Sequence, residues 1–214
     1  MTRELTPLDR LLAGADEALR TLTGHHVPSR PMPRPGAGLQ AADLTTAERQ
    51  LSGSLMRVNH VGEICAQALY QAQALATRKP SLKAHFAAAS REEADHLAWS
   101  EQRLRDLGDR VSILNPLWYA GAFTIGLVAG RIGDRTSLGF VVETEKQVEK
   151  HLDGHLSRLP VADIDSRAVV QQMMSDEAQH ARNAQGAGGK RLPMPVRLMM
   201  RAAAKVMTTV AARI

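Results

Sequence analysis

Two short strings in this sequence have the make-up of metal ligands, Glu93-Ala-Asp-His96 and Glu177-Ala-Gln-His180. Each is Glu-x-x-His. On a helix, residues three apart share a face, so each string offers one carboxylate and one imidazole to a single point. Glu63 precedes the first string by 30 residues and Glu145 precedes the second by 32, as expected when a helix, a short turn and a returning helix meet at one depth. The halves repeat at 82 residues for Glu63 and Glu145, and at 84 for Glu93 and Glu177 and for His96 and His180. A lone Glu-x-x-His is common on exposed helix faces. Two in register, with two further glutamates, point to a di-metal centre inside a four-helix bundle.

The electrostatics favour the same conclusion. Four ionised glutamates facing one another in a helical interior are too costly to bury alone, and two divalent cations cancel that charge. Carboxylate with imidazole suits iron or manganese. Cys65 is the only cysteine, which excludes an intrachain disulfide and a thiolate-rich zinc site and reads as a small buried hydrophobe. Phase supports the set: Ala89, Glu93, His96 and Ser100 fall in line, as do Met173, Glu177, His180 and Ala184, and Val141, Glu145, Val148 and Leu152. Glu149 shares part of that last stripe. His60, His85, His151 and His155 have no comparable partners; His85 is expected to face solvent and His151 to border the site or pack nearby.

These residues need long helices to carry them, and the composition suits an all-α fold, with 3% aromatics and plentiful Ala, Leu, Gln, Arg and Glu. At 214 residues one catalytic domain is the default. Residues 1–26 read as an amphipathic helix, with Leu11, Leu12, Ala15, Leu19 and Leu22 on one side, and 27–43 as a Pro/Gly-rich linker with no part in the chemistry. The bundle occupies 44–190, with helices from Thr45 to about Arg78, Ser81 to Leu107, Ser137 to Leu159 and Asp165 to Gln185. Residues 191–214 form a basic C-terminal helix with Arg197, Arg201 and Lys205 four apart on one face. The single cysteine and the mixed-charge first twenty residues suggest a reducing compartment and no export. A net charge of +5 suits an anionic partner, nucleic acid or acidic lipid.

With Arg57-Val-Asn-His-Val-Gly-Glu63, the string EEADH, the segment VETEKQVEKH and the string DEAQH, the sequence resembles the demethoxyubiquinone hydroxylases, ferritin-like di-iron monooxygenases of ubiquinone biosynthesis. The resemblance covers roughly residues 45–214. It implies a ferritin-like four-helix bundle with an additional apolar crossover helix, and two iron ions held by Glu63, Glu93, His96, Glu145, Glu177 and His180. By the same resemblance Glu93 and Glu177 bridge the metals, and the third-helix ligand is Glu145 rather than Glu149. The implied reaction is O2-dependent hydroxylation of the ring of a polyprenylated methoxy-methyl-benzoquinol. No Gly-rich dinucleotide fingerprint is present, so electrons are expected from a separate reductant or the quinol itself. Homo-oligomers and a partner in a ubiquinone-biosynthesis complex stay open.

The twenty residues from Val111 to Gly130 carry no charge. A membrane crossing there would put Glu63, Glu93 and His96 on one side and Glu145, Glu177 and His180 on the other, and Asn115, Pro116 and three glycines weaken a spanning helix. The stretch 111–132 is therefore expected to lie in the membrane surface, presenting Leu117, Trp118, Phe123, Ile125 and Leu127 to lipid at the cytoplasmic face of the cell membrane. A subunit interface is the other reading. Other ferritin-like proteins, a tRNA-modifying hydroxylase or a ferroxidase, are the rival functions, with a purely structural metal site as the non-enzymatic one; little aromatic–basic interleaving argues against nucleic acid.

Overall fold

Threonines and prolines open most of the helices. Thr6 and Thr45 each accept from the backbone three residues on, and Asp9 and Glu48 reach back to complete capping boxes. Pro80, Pro116 and Pro195 stand in first turns, where their missing N–H costs nothing. The computed structural model describes residues 6–24, 26–36 and 43–214. Among them the chain forms α1 (Pro7–Thr23), α2 (Thr46–Ala76), α3 (Pro80–Asp106), α4 (Asn115–Ile132), α5 (Asp134–Arg158), α6 (Ile164–Gly186) and α7 (Met194–Ala211). Residues 37–42 of the expected linker, and the side chain of Leu11, lie outside the described set.

Short turns fold α3 back along α2 and α6 back along α5, and these two hairpins make the bundle. α5 starts three residues before the expected Ser137. Gly133 turns the chain at φ 138°, and Thr77 Oγ1 and Lys79 Nζ hold Asp134 at 2.8 and 3.0 Å, tying the first turn of α5 to the end of α2.

The core follows a seven-residue rhythm with one acid at its centre in every bundle helix. Met56, Glu63 and Tyr70 in α2, Phe86, Glu93 and Ser100 in α3, Leu138, Glu145 and Leu152 in α5, and Val170, Glu177 and Ala184 in α6 are all buried. Apolar layers lie on both sides of the acids, one around Met56, Trp99, Leu104, Leu152 and Met173, the other around Tyr70, Phe86, Leu138 and Val141. Burying each large side chain contributes about 1.5–3 kcal/mol.

α4 connects the hairpins and lies against α2 and α5. The three glycines expected to weaken a membrane-spanning helix fall in α4, and two of them make its packing possible. A Cβ on Gly126 would meet Leu69 O at 2.9 Å, and one on Gly130 would meet Ala76 Cβ at 2.4 Å, so α4 approaches α2 too closely for larger residues. Among the described residues, no helix is long and apolar enough to cross a membrane. Of the five side chains expected to meet lipid, Leu117 and Ile125 are exposed, whereas Trp118, Phe123 and Leu127 are half-buried. Trp118 packs against the buried cluster of Val58, Val61 and Ala211, and Phe123 stacks on Tyr119. Ile113, Val128 and Ile132 are exposed in their place.

Two other faces also differ from expectation. α1 packs through Ala18, Thr21 and Leu22, leaving Leu8, Leu12 and Leu19 exposed, because the wider leucine stripe faces away from α2. Arg197, expected on one basic face with Arg201 and Lys205, is bonded to Glu143 on α5 at 2.7 Å.

Candidate metal centre

Each side chain of the six comes from the middle of a long helix: Glu63 from α2, Glu93 and His96 from α3, Glu145 from α5, Glu177 and His180 from α6. The structure brings them together, all buried, as two overlapping nests. Glu63, Glu93, His96 and Glu177 form one, and Glu93, Glu145, Glu177 and His180 the other, with the donor atoms of each nest within 4.8 Å of one another. Glu93 and Glu177 belong to both. Glu93 turns Oε2 to His96 Nδ1 at 3.1 Å and Oε1 to His180 Nδ1 at 3.1 Å. Glu177 turns Oε1 to His96 Nδ1 at 3.2 Å and Oε2 to His180 Nδ1 at 3.3 Å. Each shared carboxylate thus presents one oxygen to each nest. Glu149 is half-exposed and outside both.

Both imidazoles point Nδ1 inward because their outer nitrogens are held. His96 Nε2 meets Asp176 Oδ2 at 3.0 Å, and His180 Nε2 meets Glu92 Oε2 at 2.9 Å. Each holding acid stands one residue before the Glu of its own string and reaches across to the histidine of the other helix. A carboxylate on the outer nitrogen fixes the ring and strengthens the inner one as a ligand. Neither Glu92 nor Asp176 was singled out from sequence, although an acid just before both Glu-x-x-His strings was the available signal. Tyr70 was missed too. Its hydroxyl donates to Glu145 Oε1 at 2.5 Å, from a position seven residues after Glu63 on the same buried stripe.

Crowding these groups moves their protons. Burial, with Glu93 adding to it, pushes Glu63 well above the usual carboxylate range, and burial with Glu177 does the same to Glu145. Glu93 is held well below that range because the His180 and His96 imidazoles beside it outweigh its burial. Burial opposes charging His96 and His180, but the surrounding carboxylates prevail, raising His96 well above its ordinary value and His180 to about 12. Burial, reinforced by Glu145, also keeps the Tyr70 hydroxyl protonated.

The donors fit a pair of metal ions. Glu93 Oε1 and Glu177 Oε1 are buried and face His180 Nδ1 and His96 Nδ1 at 3.1 and 3.2 Å, but among the described residues neither oxygen receives a well-aligned hydrogen bond, and these are two of the oxygens that the nests share. Such orphaned acceptors are costly unless something positive meets them. The ligands are carboxylate oxygen and imidazole nitrogen only, which suits iron. Cys65 takes no part: it is half-buried, its Sγ lies 3.9 Å from Trp118 O, and burial pushes its thiol up to about 12.

The other described histidines are elsewhere, with one exception. His60 is buried in α2 and lowered to about 3 by burial and His26. His151 and His155 lie with ring centroids 3.9 Å apart, lowered by burial and nearby positive charge to about 4 and about 3. The expectation that His85 faces solvent fails, since it is half-buried and shares a small cleft with Tyr70, Glu92 and His180.

The sequence profile described as "Ubiquinone biosynthesis protein COQ7" matches residues 50–211, the whole span that carries the nests. The chain belongs to this family. A relative from Polaromonas sp. (strain JS666), named 3-demethoxyubiquinol 3-hydroxylase, is 61% identical over 208 residues, 97% of this chain and 99% of the relative. Relatives of the same name from Burkholderia pseudomallei (strain 668) and Burkholderia mallei (strain SAVP1) are each 59% identical over 203 residues, 95% of this chain and 97% of the relative. COQ7 membership agrees with the all-helical bundle and its paired Glu and His nests, and it replaces the ferroxidase and tRNA-modifying readings.

Proposed function

We propose that the chain is an O2-dependent di-iron monooxygenase, a 3-demethoxyubiquinol 3-hydroxylase of ubiquinone biosynthesis, whose irons are held by Glu63, Glu93, His96, Glu145, Glu177 and His180. The observation that carries this is the pair of buried nests sharing Glu93 and Glu177, in a chain that aligns over nearly its whole length with 3-demethoxyubiquinol 3-hydroxylases. When bound, a diferrous pair supplies the electrons and open coordination positions that make O2 reactive toward an electron-rich ring.

The protein's own part is positioning and shielding. Glu93 and Glu177 span the two positions, while Glu63 and Glu145 serve one each. Asp176 and Glu92 keep the Nδ1 atoms of His96 and His180 aimed inward, and Tyr70 holds Glu145 Oε1. The apolar layers around Met56 and Met173 and around Phe86 and Leu138 exclude water. Hydroxylation places one oxygen atom on a ring carbon and releases the other as water. The two electrons and two protons this needs come from a separate reductant or from the quinol.

The substrate's polyprenyl tail resides in lipid, and we place the protein at the cytoplasmic face of the cell membrane, bound peripherally. Exposed Ile113, Leu117, Ile125, Val128 and Ile132 along and before α4, and Leu198, Met199 and Val206 on α7, support that placement. Arg131, Arg201 and Lys205 lie exposed on the same two helices, as contact with acidic headgroups requires.

The reaction is tested with anaerobically iron-loaded protein, a short-chain demethoxy-quinol, a chemical reductant and oxygen-18 gas. One labelled oxygen in the ring hydroxyl is expected. Oxygen uptake with an unlabelled, unchanged ring would refute the hydroxylase reading.

A further inference from the structure

The two Glu-x-x-His strings differ at one interior position, Asp95 in the first and Gln179 in the second. Gln179 is exposed and bonds to its helical neighbours Asn183 and Arg182. Asp95 is fully buried. A carboxylate buried to that degree needs a partner, and its partner comes from the proline-rich stretch before the bundle. Arg30 Nε donates to Asp95 Oδ2 at 2.7 Å, and the Ser29 backbone N–H donates to Asp95 Oδ1 at 2.5 Å. The Arg30 guanidinium lies over the Trp99 ring, 4.9 Å from its centroid, while Trp99 Nε1 donates to Arg30 O at 3.3 Å. The expected tether is therefore anchored at this point.

The same arginine reaches further. Arg30 Nη2 is 2.9 Å from Asp176 Oδ2, the oxygen that meets His96 Nε2 at 3.0 Å. Gln172 Nε2 holds the other oxygen of Asp176 at 2.9 Å. On the opposite side Glu92 has half of its side chain exposed, and among the described residues its ion-pair partner is His180 alone. The duplicated centre is thus braced unequally.

We propose that Arg30 is a positioning residue for one metal position only: by clamping Asp95 and Asp176 it fixes His96 and tightens binding in the Glu63–His96 nest, leaving the Glu145–His180 nest unaffected. This rests on the di-iron reading above. It also gives the N-terminal stretch a role in the chemistry that the family profile, beginning at residue 50, does not include.

The test is anaerobic Fe2+ titration of the full-length metal-free protein, resolved into its two binding steps, with thermal unfolding of each metal-free variant as the check on folding. Arg30→Ala is expected to weaken one step by about 10–100-fold, the usual effect of losing a group that holds a ligating imidazole, and to leave the other step unchanged. Asp176→Asn should weaken the same step, Glu92→Gln the other. In the double variant Arg30→Ala/Asp176→Asn the loss should not exceed that of Asp176→Asn alone, a coupling that a merely structural arginine would not show. Should Arg30→Ala unfold, Arg30→Lys keeps the charge but loses the fork, and it should show a smaller loss confined to the same step. Wild-type protein that binds two irons, with Arg30 variants that bind identically, weaken both steps alike or add independently to Asp176→Asn, would overturn this inference alone. Wild-type protein that takes up no iron would overturn the di-iron reading with it.

Discussion

Tyr70 on α2 donates its hydroxyl to Glu145 on α5 across 2.5 Å, so one half of the duplicated centre braces a ligand of the other. The corresponding position seven residues after Glu145 is Leu152, which is buried and offers Glu63 no such donor. Removing the hydroxyl in Tyr70→Phe leaves a buried Glu145 oxygen unsatisfied, at a cost of about 1–3 kcal/mol to the metal-free fold. Iron affinity at one position should fall by about tenfold, with two irons still bound at saturation. Urea unfolding and Fe2+ titration measure the two effects, and a variant indistinguishable in both would show that the contact is idle.

The choice between Glu145 and Glu149 has a direct check. Glu145→Ala should cost one iron, because Glu145 belongs to a single nest. Glu177→Ala and Glu93→Ala should cost both or nearly both, since each side chain serves both nests. Glu149→Ala should retain two. Iron content per chain after gel filtration decides, and a normal count in Glu177→Ala would remove the shared carboxylate from the account.

Proton linkage supplies a prediction with a definite sign. In the metal-free protein His180 keeps its proton up to about 12, against 6.5 for an ordinary histidine. A group whose value is raised by folding stabilises the fold most below its unfolded value, and the benefit is lost as pH rises through the folded value. His96, Glu63 and Glu145 act in the same direction, and Glu93 opposes them. Stability of the chelator-treated protein should therefore fall as pH is raised above about 6.5. Metal binding displaces these protons, so iron affinity should rise over the same range. Denaturant midpoints for chelated and iron-loaded protein between about pH 6 and pH 9 should diverge. Parallel curves would contradict the proton balance.

The proposed lipid face separates exposed from packed apolar residues. Ile125→Glu and Leu117→Glu should weaken sedimentation with acidic vesicles by at least about tenfold while leaving the melting temperature nearly unchanged. Trp118→Glu should instead destabilise the fold, because that ring packs against the cluster of Val58, Val61 and Ala211. Unaltered vesicle binding by the first two variants would move the membrane contact away from α4.

Much of the centre could be read before any coordinates, for a physical reason. A bundle helix that places an acid on its buried stripe leaves that acid in phase with small or apolar buried residues seven away on either side, so Glu63, Glu93, Glu145 and Glu177 declare themselves by register. The helix start at Thr45 and the break at Pro80, one residue before the expected start at Ser81, are equally local signals. What escaped depends on contacts that periodicity does not encode. α4 is apolar all round, so its sequence carries no phase to say that Trp118 turns to α7 while Val128 stays exposed. Arg30 docks on Asp95 across 65 residues of sequence from a stretch with no repeating pattern. Asp176 and Glu92 were partly legible, since both precede their strings by one position. Their crossing to the opposite histidines became visible only when α3 and α6 were placed side by side.

Anomalous diffraction at the iron edge from anaerobically loaded crystals tests the central claim most directly. The account predicts two iron peaks about 3.5–4 Å apart, the usual spacing of a two-metal site. One should lie beside Glu63 and His96, the other beside Glu145 and His180, with Glu93 and Glu177 touching both. A single peak, or iron bound outside these six side chains, would contradict it.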